Sequence, residues 1–333
     1  MEKCTIRIPK PQDFDLDHIF DCGQCFRWEK EEDGSYTGIA FGRPVNMSVG
    51  YDEDGKVSLP PKEARRRREL RAAISNVTQY THHIDAFLTI ENATFEEVNT
   101  IWKPYLDWER DYSAIKEELA SKDEVMANAI EKGKGIRILR QDLWEALLSF
   151  TISQNNNIPR IKSCIENLAR QFGEPAGTFR GKEFYNLPTA ARLAELKPED
   201  LSPIKLGYRA RYIIEMSKAV VRDGLPQGYW ELVGLTGVGP KVASCVSLFG
   251  LHNMASFPVD VWVRRVMNRL YGIAERDTKA MNDFAKANFG EYGGIAQQYL
   301  FYYIRTQGLD VTREERLARD MRRARLARIT DRM

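Results

Sequence analysis

The sequence predicts an α+β protein, an N-terminal antiparallel β-sheet domain followed by mainly α-helical domains, and three observations predict it. From Thr5 to about Leu59 short segments of alternating character are broken by Asp33-Gly34 and Asp54-Gly55, dipeptides that close β-hairpins. After Thr94 the apolar period turns helical and stays so. Around residue 235 two apolar runs are joined by Leu235-Thr-Gly-Val-Gly-Pro-Lys-Val-Ala243, which reads as two helices around a tight glycine turn, a helix-hairpin-helix.

In chain order, the strand segments are Cys4–Ile8, Cys25–Trp28, Tyr36–Ile39 and Val45–Val49. Residues 60–90 carry no clear pattern; the run Arg65–Arg68, flanked by Glu63 and Glu69, reads as a solvated helix or loop ahead of a phosphate contact. Thr94-Phe-Glu-Glu97 has the form of a capping box, Ser121-Lys-Asp-Glu124 is a second such cap, and Asp142 is placed to cap the run Leu143–Ile152. Helices follow at Ile158–Phe172, Tyr208–Asp223, Tyr229–Leu235, Lys241–Gly250, Asp260–Tyr271, Thr278–Phe289 and Gly293–Arg305. Thr312–Met333, rich in arginine with interspersed acids, reads as an exposed helix or tail. The expected domains are a sheet domain over 1–110, helical domains over 111–308 with the hairpin near 229–250 and a last helix near 293–306, and an arginine-rich segment over 309–333.

The 333 residues are ample for real cores, and the apolar and charged fractions, 43% and 29%, are those of a soluble globular chain. No apolar run approaches the ~18 residues of a membrane span, and Met1-Glu-Lys-Cys-Thr lacks the apolar core of a signal peptide. A cytoplasmic protein is expected, or a nuclear one in a eukaryote. A net charge of +2 is neutral on nucleic-acid binding, because the local field decides it. Five scattered cysteines speak against a disulfide framework. Cys22-Gly-Gln-Cys25 and His18 supply three metal ligands at most, with no partner cluster elsewhere, so no zinc site is expected.

Gly237 and Gly239 let the chain turn sharply and leave amide N–H groups uncovered at the start of the next helix, where the helix dipole favours an anion such as a phosphate. Lys241 stands at that helix start. Nineteen residues on, Phe257-Pro-Val-Asp-Val261 places Asp260 ahead of the amphipathic run Trp262–Tyr271. An amine is a nucleophile only when neutral, and a helix N-terminus supplies the positive potential that favours this form. A fixed carboxylate lowers a barrier where positive charge builds in the reacting group. The bland alternatives are a lysine that only pairs with phosphate and an aspartate that only caps a helix.

At these residues the chain resembles the helix-hairpin-helix DNA glycosylases, in which the Gly-Val-Gly-x-Lys turn grips a DNA phosphate, the lysine is the nucleophile and the later aspartate is required. Ser153-Gln-Asn-Asn-Asn-Ile158, Gly207-Tyr-Arg-Ala-Arg211, Gly23-Gln-Cys-Phe-Arg-Trp28 and Ala296-Gln-Gln-Tyr-Leu-Phe301 are similar to signatures of its 8-oxoguanine branch, in order and at comparable spacing. The resemblance spans roughly residues 1–308. It implies a bifunctional enzyme that excises 8-oxoguanine opposite cytosine from double-stranded DNA and nicks the abasic site by β-elimination from a Schiff base on Lys241, with Asp260 as the carboxylate. The enzyme is expected to act as a monomer without a required cofactor.

The same resemblance assigns the site. Phe301 and Cys245 sandwich the extruded base, with Phe249 and Pro258 in the same pocket, and Gln297 bonds its Watson–Crick edge. Gly23 offers its carbonyl to the N7 hydrogen that guanine lacks. Asn155 fills the vacated stack, Tyr208 wedges beside it, and Arg160 and Arg209 donate to the orphaned cytosine; read alone, the Asn triplet is equally a turn and cap. Gly237 and Gly239 hold DNA through the hairpin. The carbonyls of Val233, Leu235 and Val238 are candidates for a monovalent cation. No iron–sulfur cluster is implied, since no cysteine follows Cys245. Three positions depart from the pattern: Trp262 stands where animal enzymes carry a phosphate-touching histidine, Phe249 replaces a pocket methionine, and about 55–85 is altered. Two rival readings remain at this point, a glycosylase for another damaged purine and a non-enzymatic hairpin module that only binds DNA.

Overall fold

The computed structural model describes residues 3–51 and 86–307. The Asp54-Gly55 turn, the Arg65–Arg68 run and the segment 309–333 lie outside the described residues.

A five-stranded antiparallel sheet comes first. β1 (Cys4–Pro9), β2 (Trp28–Lys30), β3 (Tyr36–Ala40), β4 (Arg43–Tyr51) and β5 (Ala86–Ala93) lie in the order β1-β5-β4-β3-β2. Asp33-Gly34 turns between β2 and β3 as its chemistry demands, with Gly34 at φ +82° and the Asp33 carboxylate accepting from Ser35. Two expectations change here. The second strand starts at Trp28, because Gln24 pins the preceding residues against the helical half: its amide donates to the carbonyls of Ile19 and Arg137 and accepts from the Leu139 amide. A fifth strand, β5, joins β1 to β4 from a stretch without a readable pattern, and a short helix α1 (Leu16–Phe20) crosses the sheet with Leu16, Ile19 and Phe20 buried.

The sheet core stacks Phe20 on Trp28 at 4.1 Å, and Trp28 donates to the Tyr105 hydroxyl at 2.8 Å. The capping box at Thr94 is present and opens the short helical pieces Phe95–Glu97, Val98–Trp102 and Lys103–Tyr105. The helical half continues with α2 (Tyr112–Ala120), α3 (Glu124–Lys132), α4 (Leu143–Ser153) and α5 (Ile158–Phe172). Asp123, not Ser121, caps α3, because Ser121 ends α2 and only the Asp123 carboxylate reaches the Met126 amide. Asp142 caps α4 as expected. The helical run is interrupted by a hairpin, β6 (Pro175–Phe179) and β7 (Lys182–Tyr185), closed by Arg180 and Gly181 at φ +49° and +73°. Then come α6 (Ala190–Ala194), a 3-10 turn at Pro198–Ile204, α7 (Arg209–Asp223), α8 (Tyr229–Gly234), α9 (Pro240–Phe249), α10 (Val261–Tyr271), α11 (Thr278–Phe289) and α12 (Gly293–Gln307).

Two polar devices join the halves. The Arg137 guanidinium, 1% exposed, donates to the carbonyls of Leu106, Asp107, Trp108 and Arg110 at 2.7–3.3 Å and to those of Gln12 and Asp13 at 3.2 and 3.4 Å, with Tyr112 stacked 4.3 Å away. Arg27 pairs with Glu166 at 2.7 Å and donates to the Tyr185 carbonyl.

Near that pair, burial pushes the Glu145 carboxyl up to about 7, with Arg27 opposing and Asp142 and Glu166 reinforcing the shift. The folded state therefore holds a proton that the unfolded chain has released, and stability falls as pH rises from about 4.5 to about 7. Glu145→Gln is expected to flatten that decline and to stabilise the protein at pH 8 by up to about 3 kcal/mol. Melting temperatures of both proteins from pH 5 to 8 measure it; parallel curves would contradict it.

Candidate active site

The hairpin is α8, a turn and α9. Gly237 sits at φ +81°, and a Cβ there would lie 2.3 Å from the Tyr212 ring, so both the conformation and the space require glycine. Gly239 does not share that requirement. It is extended at φ −82°, precedes Pro240 at the first helical position, and has open space where a side chain would be. Its smallness keeps the surface over the turn clear. The amides of Gly239, Lys241 and Val242 take no backbone acceptor among the described residues, so a helix N-terminus keeps three unpaired donors.

Asp260 caps α10, accepting from the Val263 amide at 2.8 Å. Burial pushes its carboxyl up, while that cap and the charge of Lys241 pull it back. The Lys241 amine lies 5.5 Å from the Phe150 ring centre and close enough to Cys245 to interact with its thiol, which burial pushes up. Lys241 and Asp260 sense each other's charge, yet among the described residues they form no close ion pair. A space is left between amine and carboxylate.

That space is the junction of two cavities. An outer cleft of about 830 Å³ is bordered by Asn155, Tyr208, Gly239 and Arg264; an inner cavity of about 680 Å³ is walled by Gly23, Phe26, Cys245, Pro258, Gln297 and Phe301. Lys241, Asp260 and Trp262 border both. Trp262, stacked under Arg265 at 5.0 Å, forms part of the rim. Among the inner residues, Phe301 rests on Gly23, its ring carbons 3.2 Å from the place of a Cβ, and Gly23 is at φ +79°. Phe249 lines the floor and stacks on Phe150 at 5.2 Å. The structure thus brings together all six residues assigned to the base pocket and both catalytic candidates.

The DNA-facing assignments divide. Asn155 is exposed at φ +46°, and its side-chain amide takes no hydrogen bond among the described residues. Its neighbours are structural: Asn157 caps α5 through the Arg160 amide and Asn156 bonds the Ile152 carbonyl. Tyr208 is 50% exposed and Arg160 is exposed, so both can reach a ligand. Arg209 cannot as it stands. It is 4% exposed, and its guanidinium donates to the carbonyls of Gln154, Asn155 and Leu206, so the structure uses it to hold the Asn155 turn rather than to face an opposite base.

Two contributors escaped the sequence reading. Gln154 donates to the Gly237 carbonyl at 2.9 Å, tying the Asn155 turn to the hairpin. Arg305 donates to the carbonyl and carboxylate of Asp21 at 2.7 and 3.0 Å, clamping α12 to the segment that carries Gly23. Gln154 lies inside the Ser153–Ile158 signature, and Arg305 falls four residues after Phe301 on one helix face, the only signal for either.

Comparison with known proteins gives a consistent picture. Residues 6–147 match the model of the 8-oxoguanine DNA glycosylase N-terminal domain, and residues 148–288 match that of the HhH-GPD superfamily of base excision DNA repair proteins. The N-glycosylase/DNA lyase of Saccharomyces cerevisiae is 38% identical over 284 residues, 78% of this chain and 69% of that protein. A probable N-glycosylase/DNA lyase of Methanothermobacter thermautotrophicus is 32% identical over 216 residues, 56% of this chain and 69% of that protein. The Clostridium acetobutylicum 8-oxoguanine glycosylase/lyase, solved with double-stranded DNA containing cytosine opposite 8-oxoguanine, superposes with a TM-score of 0.77 at 36% identity, covering 92% of this chain and 97% of the other.

Proposed function

Because the chain belongs to the 8-oxoguanine DNA glycosylase family of the helix-hairpin-helix superfamily, and is a bifunctional repair enzyme with glycosylase and abasic-site lyase activity, we propose that Lys241 and Asp260 carry out both steps on 8-oxoguanine paired with cytosine. The observation that carries this reading is the position of that pair, at the junction between two adjoining clefts, one beside the hairpin and one lined by the residues assigned to the base.

The cleft takes duplex DNA. The unpaired amides of the hairpin bind a backbone phosphate, which fixes register without reading sequence. The damaged nucleotide leaves the stack, because its glycosidic bond is inaccessible inside the duplex. Asn155 and Tyr208 occupy the gap, Arg160 donates to the orphaned cytosine, and Arg209 does so only after release from the turn it now holds. The base enters the inner cavity between Phe301 and Cys245, and its sugar stops between the amine and the carboxylate.

Lys241 then forms a bond to C1′ as the C1′–N9 bond breaks and the base departs with the bonding pair. Asp260 stabilises the positive charge that builds on the sugar. The sugar ring opens to a Schiff base; loss of a C2′ proton then drives out the 3′ phosphate and cuts the strand. Guanine is rejected at Gly23, where its N7 lone pair would face the carbonyl oxygen, an unmade contact that costs about 1–3 kcal/mol.

The reaction needs no cofactor, and no iron–sulfur cluster enters the proposal. A structural monovalent cation held by hairpin carbonyls is part of this reading. In support, the carbonyls of Val233 and Val238 accept no backbone hydrogen bond among the described residues, while that of Leu235 accepts one from the Val238 amide. The enzyme acts as a monomer. Single-turnover excision from duplexes with 8-oxoguanine opposite each of the four bases tests the assignment. Fastest release opposite cytosine, followed by nicking, is the expected result; no release from any duplex would refute it.

A further inference from the structure

Two adjacent glutamines of α12 line the inner cavity, and only the first has a role so far. Gln297 and Gln298 are 3% and 4% exposed, and Gln298 Nε2 donates to Gln297 Oε1 at 2.8 Å. The remaining acceptor, Gln298 Oε1, is buried without a partner. A buried acceptor left unpaired destabilises the fold, so folding alone does not explain this glutamine. Turning both amides over would instead orphan the N–H donors of Gln298, a rarer and costlier defect than an orphaned carbonyl. The pair therefore has one preferred sense.

We propose that Gln298 is a positioning residue that fixes the sense of the Gln297 amide and so makes the cavity read a guanine-type rather than an adenine-type Watson–Crick edge. Contact with the N7 hydrogen at Gly23 cannot make this distinction, because 8-oxoguanine and 8-oxoadenine both carry a proton there. The difference lies on the opposite edge. A guanine-type edge sets an acceptor at O6 beside a donor at N1, whereas an adenine-type edge sets an amino donor beside an N1 acceptor. A carboxamide offers one donor and one acceptor and suits either edge after a half-turn, so an unanchored glutamine would not discriminate. Holding the Gln297 oxygen from Gln298 removes the half-turn. This inference rests on the reading of the inner cavity as the pocket for the extruded base.

The test is single-turnover excision of 8-oxoguanine and of 8-oxoadenine, each opposite cytosine, by the wild type, Gln298→Met, Gln298→Glu and Gln297→Ala, with melting temperatures alongside. Gln298→Met should lower the 8-oxoguanine to 8-oxoadenine rate ratio about tenfold, the scale of one bidentate base contact. Its melting temperature should be unchanged or raised, since an orphaned acceptor is removed. Gln298→Glu, assayed at alkaline pH so that its carboxylate is ionised and offers acceptors alone, should turn the Gln297 donors toward itself and lower the ratio further. An unchanged ratio in Gln298→Met, or an equal fall on both substrates with a lower melting temperature, would overturn the proposal. Should Gln298→Met fail to fold, Gln298→Asn, too short to reach residue 297, is expected to show the same change in ratio. Gln297→Ala separates the two readings: if it leaves 8-oxoguanine excision intact, the pocket assignment itself falls, and this inference with it.

Discussion

Replacing Lys241 with glutamine is expected to lower 8-oxoguanine excision by at least about a thousandfold, some 4 kcal/mol of transition-state stabilisation, while DNA affinity stays within about threefold of the wild type. The two effects separate because different atoms carry them. In the proposed function phosphate is bound by the backbone amides of Gly239, Lys241 and Val242, which a side-chain change leaves in place. The reaction needs the amine itself, which glutamine does not supply, and the neighbouring Asp260 has no second amine to position. Glutamine, one bond shorter than lysine, still fills most of the space beside Phe150 and Cys245, so the cavity wall persists. Rates from single-turnover assays and affinities from fluorescence anisotropy measure the pair. Excision within tenfold of the wild type would remove Lys241 from the chemistry.

Arg137→Met is expected to be the most damaging single change to stability, costing about 4 kcal/mol and lowering the melting temperature by about 6 °C. Methionine fills the space yet donates nothing, leaving six backbone carbonyls from residues 12–13 and 106–110 without their buried donor. Water can reach only some of them, because the arginine lies inside the molecule at 1% exposure. Loss of these bonds loosens the loop carrying Asp107, whose carboxyl is held at about 2 by hydrogen bonds from His252 and Arg110 that outweigh its burial. Calorimetry of the two proteins tests the ranking, and a melting temperature within 2 °C of the wild type would contradict it.

Local signals account for what was legible in the sequence. Thr94, Asp142 and Asp260 act as helix caps because each satisfies an orphan amide two or three residues away, a relation that sequence spacing displays directly. The candidate pair Lys241 and Asp260 and the residues proposed for the base line one pocket, and the motifs carrying them had brought them together in the sequence by fixing residue type and order. Non-local features were not. β5 is a strand because β1 and β4 flank it, and both partners lie outside its own sequence window. The β6–β7 turn uses Arg180-Gly181 in place of the usual Asn-Gly or Asp-Gly, so its signal was weak. Arg209 was assigned to the opposite base and Arg137 given no role, because only the fold reveals the backbone carbonyls that draw both guanidinium groups inside. Gly239 shows the converse: the motif was identified correctly, but its glycine serves clearance over the turn rather than backbone conformation.

In the proposed reaction the Lys241 amine becomes bonded to the sugar beside Asp260. Borohydride reduction of the enzyme reacting with an 8-oxoguanine duplex, followed by proteolysis and mass spectrometry of the cross-linked peptide, tests it most directly. The account predicts one adduct, on Lys241; an adduct on another amine, or none while excision proceeds, would contradict it.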